Sequence, residues 1–122
     1  MQPSAFSKEA FAGEWIASFN THDLERILEH YDEAIVLTSP LVPRVMGEGV
    51  ARIEGKDMLR AYFSRGLTLR PDLHFTMRKV YGGTGALVIA YHTQDGREAA
   101  EQMDLDPQGR IVAVRAHYAD AN

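Results

Sequence analysis

The hydrophobic period of this 122-residue chain changes near Leu73, and the change restricts the folds that it can adopt. Before that point, most apolar residues recur every three or four positions, which is typical of amphipathic helices packed on a core. After it, apolar and polar residues alternate as in half-buried strands, and turn signals separate the runs. Helices grouped ahead of antiparallel strands predict an α+β domain in which the helices cover one face of a curved sheet.

Three helices are predicted in the first part of the chain. The first covers residues 7–19, and the second is a short helix for which Asp23 is the expected N-cap. The third begins at residues 55–57 and ends near Arg70, just ahead of Pro71. Their apolar stripes are formed by Phe11, Trp15, Ile16 and Phe19, by Leu24, Ile27, Leu28 and Tyr31, and by Met58, Leu59, Tyr62, Phe63 and Leu67.

Six strands are predicted in total. Residues 34–38 are apolar and too few for a helix, so they form a buried strand that ends at Ser39-Pro40. Residues 50–54 form a short second strand. Four more strands follow Leu73 as a meander, with turns at residues 82–83, 95–96 and 107–109.

Composition limits both the class of protein and its partners. We expect one domain over residues 1–122, because this length matches a single globular domain. A net charge of −4 and a pI near 5.7 argue against nucleic acid as a partner. The chain has no cysteine, which favours a reducing compartment, and it shows neither a signal peptide nor a run long enough for a membrane span. We therefore expect a cytoplasmic protein.

Glu101 is the strongest candidate for a functional residue. It shares its strand face with Ala99, Met103 and Leu105, where alternation predicts another apolar side chain. A charge on such a face must find a partner, line a cavity or shift its pKa.

Two interpretations of Glu101 remain open at this stage. If burial raises its pKa, Glu101 can act as a neutral acid that donates a hydrogen bond or a proton. Alternatively, it forms a structural ion pair with an arginine, or the strand is out of register by one residue. The candidate arginines are Arg52, Arg97 and Arg115.

Four segments, in this order, resemble the nuclear transport factor 2-like superfamily, and more narrowly its SnoaL-like and ketosteroid isomerase-like branches. They are residues 15–24, the strand end at Ser39-Pro40, the helix start at residues 55–57 and the hairpin at residues 103–112. The resemblance implies a cone-shaped α+β fold. In it, a bent antiparallel sheet wraps around three N-terminal helices and leaves a largely apolar pocket open at one end.

The resemblance also implies roles for individual positions. Ser39 corresponds to the aspartate base of the steroid isomerases, Trp15 lies at or next to their oxyanion-binding tyrosine, and Glu101 corresponds to their strand acid. A serine hydroxyl cannot accept a proton at neutral pH without a neighbouring base, and an indole N–H is a weak donor. True steroid isomerase activity is therefore not expected.

Aromatic side chains are candidates to line the pocket that the resemblance implies. Their alternative role is ordinary core packing, which is common for aromatic stripes at helical spacing. Trp15 and Tyr31 are the stronger candidates among them, because each has a polar group that needs a partner when buried. The predicted ligand-binding set is Trp15, Phe19, Tyr31, Ser39, Tyr62, Phe63 and Tyr118.

Metal and phosphate sites are not predicted. His74, His92 and His117 lie on different predicted strands. The resemblance implies that Val112 and Val114 face inward on the last strand, which places His117 on the outer face, together with Ile111. The glycines of residues 82–85 open a strand, unlike a phosphate loop, which opens a helix. The Asp-Arg-Asp arrangement of the superfamily's epoxide hydrolases is not found either.

The leading functional hypothesis is that a small, mostly apolar molecule binds in the pocket. If the protein is an enzyme, it is isomerase-, lyase- or cyclase-like, uses Glu101 for acid/base chemistry and requires no cofactor. The alternative is a non-catalytic ligand-binding or dimerising interaction domain of the same fold. The resemblance implies a homodimer formed through the outer sheet face, where Ile111 and Ala113 lie beside Arg115.

Overall fold

A computed structural model describes residues 6–121. These residues form four helices and six strands, and the predicted α+β class with a curved sheet is confirmed. The helices are α1 (Lys8–Asn20), α2 (Leu24–Leu28), α3 (Val42–Met46) and α4 (Lys56–Leu69). The strands are β1 (Tyr31–Thr38), β2 (Ile53–Glu54), β3 (Thr76–Gly83), β4 (Ala86–His92), β5 (Glu98–Leu105) and β6 (Ile111–Tyr118).

Polar side chains cap the first two helices. The Ser7 hydroxyl accepts a hydrogen bond from the Ala10 amide at 3.0 Å, and the Asp23 carboxylate accepts one from the Arg26 amide at 3.2 Å. Each interaction satisfies an amide that has no partner within its helix. The predicted N-cap at Asp23 is thus confirmed.

Tyr31 was predicted to lie on the second helix, and this prediction is wrong. The helix ends at Leu28, and Tyr31 is the first residue of β1, opposite Ile111 of β6. A backbone hydrogen bond of 2.8 Å from the Ile111 amide to the His30 carbonyl holds the start of this pairing. Tyr31 is fully buried and faces the core from the strand. Its spacing from Leu28 matches the helical stripe only by coincidence.

Two details of the connecting segment also differ from the prediction. A five-residue helix, α3, follows the proline break, and Pro43 lies in its first turn, where a missing N–H removes no helical hydrogen bond. The strand predicted over residues 50–54 is confined to Ile53–Glu54.

The six strands form one sheet with the order β2-β1-β6-β5-β4-β3. Strands β3 to β6 make the predicted antiparallel meander, but β1 pairs with β6 in parallel. The chain therefore crosses from one end of the sheet to the other through α4. Helix α4 contacts β1, whereas α1 contacts β3, so the helices lie across the sheet between its two ends.

A β-bulge in β6 corrects the predicted facing of Ile111. Asp104 and Leu105 are consecutive in β5, yet they pair with Ala113 and Ile111, which leaves Val112 as an extra residue. The bulge reverses the alternation, so Ile111 lies in the core and is fully buried. It cannot contribute to an outer surface.

An aromatic cluster joins α1 to the sheet. The Trp15 ring centroid lies 4.8 Å from that of Phe19, 5.9 Å from that of Phe75 and 5.6 Å from that of Tyr91. The Trp15 indole N–H donates a hydrogen bond of 3.0 Å to the Tyr31 hydroxyl, which links α1 to β1. Within residues 6–121, no helix is both long and apolar enough to cross a membrane.

Replacing Tyr31 with phenylalanine should lower the free energy of unfolding by about 1–3 kcal/mol, because it leaves the buried Trp15 N–H without an acceptor. Urea denaturation followed by circular dichroism measures this change. Tyr81→Phe is the matched control, since Tyr81 is 47% exposed. Equal losses in both variants, or none in Tyr31→Phe, would contradict this role of the hydrogen bond.

Candidate active site

A cavity of about 130 Å³ lies between the helices and the inner face of the sheet. Most of its wall is apolar, and its polar groups come from the sheet, from α4 and from the residues that directly follow β1 and α4. The apolar residues include Phe19, Leu37, Phe63, Leu67, Leu73 and Phe75. The polar residues are Ser39, Tyr62, Arg70, Tyr91, Glu101 and Tyr118.

Glu101 lies on the inner face of β5, as its parity predicts. Its neighbours on this face, Ala99 and Met103, are buried, and Glu101 itself is 8% exposed. The Tyr91 hydroxyl on β4 donates a hydrogen bond of 2.7 Å to Glu101 Oε2. Ile89 pairs directly with Glu101, so Tyr91 reaches the carboxylate from the diagonal position two residues along β4.

The alternative of a structural ion pair is not supported. Arg52 pairs with Glu54, Arg97 pairs with Asp120, and the remaining candidate, Arg115, is exposed. Glu101 makes no salt bridge with any residue in the described range 6–121. The strand is also in its predicted register. The carboxyl group must therefore be accommodated without a compensating cation.

Burial raises the pKa of Glu101 to about 7, and the hydrogen bond from Tyr91 opposes this rise only in part. The Tyr91 pKa lies well above its usual range, first because the ring is buried and then because the Glu101 charge is close. Near neutral pH, Glu101 is thus divided between its acid and its carboxylate, while Tyr91 remains a hydrogen-bond donor.

The second carboxyl oxygen is available to a bound molecule. Oε2 accepts the Tyr91 hydrogen bond, whereas Oε1 has no hydrogen-bond partner among the described residues. The described side chains include no unpaired oxygen or nitrogen that is sealed from the surface, so Oε1 is reached through the cavity that Glu101 lines. This oxygen is the one positioned to exchange a proton with a ligand.

The hydroxyl groups of Ser39, Tyr62 and Tyr118 also line the cavity and lie close to one another. The Ser39 hydroxyl accepts a hydrogen bond of 3.1 Å from the Leu41 amide. Burial raises the pKa of Tyr118 to about 12, while interactions with Tyr91, Arg97 and Ser39 oppose this rise. Burial also raises the pKa of Tyr62, and polar interaction with Ser39 opposes that shift. All three hydroxyls therefore stay protonated at neutral pH and can donate hydrogen bonds.

Six of the predicted site residues line the cavity together, and two do not. Trp15 and Tyr31 are fully buried in the core, and their polar groups bond to each other at 3.0 Å. Neither residue lines the cavity, because each polar group already has the other as its hydrogen-bond partner. The six that line the cavity are Phe19, Ser39, Tyr62, Phe63, Glu101 and Tyr118.

Sequence reasoning missed Tyr91, the direct partner of Glu101. Leu87, Ile89 and Tyr91 alternate along β4 and are all buried, so the period-two pattern could have assigned Tyr91 to the inner face. It also missed Phe75 and Arg70. Arg70 follows α4, at the rim of the cavity, and no sequence pattern marks it as a lining residue.

The histidines are dispersed. His117 is exposed on β6, and His22 bonds through its ring to the Leu73 carbonyl at 2.8 Å. Between Phe6 and Ala121, no three His, Asp or Glu side chains form a group that could hold a metal ion.

A model of the SnoaL-like domain family matches residues 12–120, which is most of the chain. The chain belongs to the SnoaL-like domain family. The predicted resemblance is thereby confirmed, together with the nuclear transport factor 2-like fold. No curated protein matches the chain significantly.

Solved structures agree with this assignment. A SnoaL-like protein of unknown function from Burkholderia thailandensis E264 is 37% identical, with a TM-score of 0.86, over 92% of this chain and 93% of that one. SalBIII, an epoxide hydrolase/cyclase-like enzyme of pyran ring formation in the polyether salinomycin, is 17% identical, with a TM-score of 0.72, over 93% and 91%. A Catenulispora acidiphila DSM 44928 protein with a ketosteroid isomerase-like fold, in complex with trimethylamine, is 12% identical, with a TM-score of 0.73, over 93% and 88%. The last two comparisons concern the fold alone.

Replacing Glu101 with glutamine should change how stability depends on pH. In the folded protein the Glu101 carboxyl has a pKa near 7, against an ordinary 4.5, so it binds its proton more tightly than in the unfolded chain. The stabilisation that results is complete below pH 4.5 and is lost as the pH rises through 7. Relative to Glu101→Gln, the free energy of unfolding of the wild type should therefore fall by roughly 3 kcal/mol between pH 4 and pH 8, at about 1.4 kcal/mol per pKa unit.

Urea denaturation of both proteins across this pH range measures the difference between their free energies of unfolding. The other titratable groups are the same in both proteins, so their effects cancel in this difference. A difference that stays constant with pH would show that the Glu101 pKa is not raised.

Proposed function

We propose that this protein binds a small, mostly apolar molecule in the cavity and acts on it by acid/base chemistry at Glu101, as an isomerase- or cyclase-like enzyme. The observation that carries the proposal is the buried carboxyl group, which has a tyrosine but no cation as its partner. A group with a pKa near 7 is suited to both giving and accepting protons at neutral pH.

The arrangement supports distinct roles for the two carboxyl oxygens of Glu101. Tyr91 fixes the carboxyl through Oε2, so Oε1 is directed toward the ligand. Protonated Glu101 can donate to a carbonyl or ether oxygen of the ligand, and ionised Glu101 can remove a proton from carbon or oxygen. Because the surrounding wall is apolar, these interactions are stronger than they would be in water.

The shared fold is compatible with this class of reaction. SalBIII, which has a similar fold, is an epoxide hydrolase/cyclase-like enzyme. The likeness itself concerns the fold alone, because this fold hosts different reactions in different proteins.

Ser39 supports a second candidate, which is a ligand-binding protein without turnover. The resemblance implies that Ser39 stands at the position of the aspartate base of steroid isomerases, and its hydroxyl accepts a hydrogen bond from the Leu41 amide. Glu101 is the one carboxylate among the described residues that line the cavity, so it must serve alone as both acid and base. Binding without proton transfer is the outcome that would favour this candidate.

Exchange of the α-hydrogens of cyclohexanone for deuterium, followed by NMR, tests the proposal. We expect the wild type to accelerate exchange in D₂O at neutral pH and Glu101→Gln to reduce the acceleration by about 10²–10⁴-fold, the usual contribution of a general acid or base. Tyr81→Phe is the control for unspecific effects. If cyclohexanone binds but Glu101→Gln exchanges as fast as the wild type, the catalytic role of Glu101 is wrong.

We also propose a homodimer formed through the outer sheet face. This face carries small side chains at its centre, where Ala90 of β4 pairs with Ala100 of β5, and both remain only half-buried in the single chain. Val88 extends the apolar strip along β4. Small side chains on a sheet allow a second sheet to approach closely.

A cytoplasmic location stays a prediction from the sequence.

Ala100→Arg should convert the dimer to a monomer, because it places a charge at the centre of the proposed interface. Light scattering after size-exclusion chromatography gives the mass of each species. Ala51→Arg, in an exposed loop, is the matched control and should remain dimeric. A monomeric wild type, or an Ala100→Arg variant that stays dimeric, would contradict the interface.

A further inference from the structure

We propose that Gly66 determines which ligands the cavity accepts, because its missing side chain leaves a passage for an apolar tail. The ligand is then an amphiphile, with its polar end at Glu101 and a neutral apolar tail that leaves through the open side of the cavity. This inference rests on the proposed function and narrows the substrate class of the same site.

Gly66 lies within α4, on the helix face that lines the cavity. It follows Tyr62 by four positions and Phe63 by three, and residues at these spacings share one face of a helix. Tyr62 and Phe63 are both buried, and all three residues line the cavity, as does Arg70 one turn further on. A side chain at position 66 would therefore project into the cavity or its opening.

Neither the backbone nor the packing of the helix requires glycine here. Gly66 has helical backbone angles that any residue adopts, and its carbonyl accepts an ordinary hydrogen bond of 2.9 Å from the Arg70 amide. A Cβ atom added to it would meet no side chain or neighbouring segment of the described residues within 4 Å. Glycine is nevertheless unfavourable in a helix interior, because it loses the most backbone freedom on folding. What glycine provides at this position is the empty space beside it.

The exposure of the lining residues places the open side of the cavity next to this glycine. Glu101 is buried, so the carboxyl group lies at the closed end. Gly66 is half-buried, and so are the aliphatic lining residues Val45, Leu67 and Leu73. Partly exposed aliphatic surface favours contact with an apolar part of a ligand, because this contact removes both surfaces from water.

The polar groups of the cavity form one linked series that begins at Glu101. Tyr91 donates to the carboxylate, and the Tyr118 hydroxyl interacts with both Tyr91 and Ser39. Ser39 in turn interacts with the hydroxyl of Tyr62. A polar group of the ligand is therefore satisfied along this series, and the rest of the ligand contacts the aliphatic part of the wall.

The charges at the opening favour a neutral tail. Arg70 is the one cationic residue among the described residues that line the cavity. Its guanidinium bonds to Asp72 at 3.3 Å and 3.4 Å, and it lies 3.8 Å from Asp95. Because these two carboxylates balance its charge, an anionic tail would have to displace them, whereas an alkyl tail would not.

Titrations of cyclohexanone and 4-pentylcyclohexanone, followed by ligand-observed NMR, test the inference. We expect the wild type to bind the pentyl ketone at least roughly 10-fold more tightly, since each methylene group removed from water contributes a factor of about 4 in affinity. Gly66→Leu should reduce this preference to below about 3-fold, because its side chain occupies the passage and leaves the tail in water. Gly66→Ala should reduce it by a smaller factor.

Gly13→Leu and Gly13→Ala are the matched controls. Gly13 lies within α1, is exposed, and likewise has no side chain or neighbouring segment of the described residues within 4 Å of an added Cβ atom. All four variants replace a helix-interior glycine with a better helix former, so the urea midpoint should rise at both positions. Only the variants of Gly66 should lose the preference for the pentyl ketone.

Four results would overturn the inference: a wild type without this preference, a preference that Gly66→Leu retains, a lower urea midpoint for Gly66→Ala, or tighter binding of an analogue whose tail ends in a carboxylate. The lower midpoint would show that packing requires the glycine. The proposed function fails separately. Loss of the Glu101 dependence of cyclohexanone exchange would remove the catalytic role and leave the tail selectivity, whereas Glu101-dependent exchange with an unchanged preference in Gly66→Leu would do the reverse.

Discussion

The cost of keeping a carboxyl group inside an apolar cavity is the constraint on which this site depends. With no cation beside it, Glu101 relies on one hydrogen bond from Tyr91 and on access to the cavity. Tyr91 is in turn packed against Trp15 and Phe75, so the residue that orients the acid is part of the core. The stability of the cone and the chemistry of the site are therefore coupled through a single phenol ring.

Much of the fold could be predicted from the sequence because its signals are local. The Asp23 cap, the strand end at Ser39-Pro40 and the parity of Glu101 each depend on a few neighbouring residues. Tyr31 was misassigned because it lies three positions after Leu28, a spacing that is typical of a helix but that an inward-facing strand residue can also have. Only the pairing of β1 with β6 distinguishes the two.

The site was predictable only in part, because its composition depends on contacts between distant segments. Strand parity identifies an inward-facing Glu101, but it does not show which hydroxyl reaches the carboxylate from the next strand. Trp15 shows that a buried polar group can also be satisfied within the core. Its N–H requires a partner, and the sequence does not reveal that the Tyr31 hydroxyl, rather than a ligand, supplies it.

The bulge at Val112 has a consequence for how this family can vary. Because one residue of β6 is left out of the ladder, the strand consists of two segments with separate registers. Ile111 belongs to the structural segment near the 106–110 turn, and Tyr118 belongs to the segment that lines the cavity. A change of length at the turn can be absorbed at the unpaired residue, so the loop is free to diverge while the cavity wall keeps its alignment.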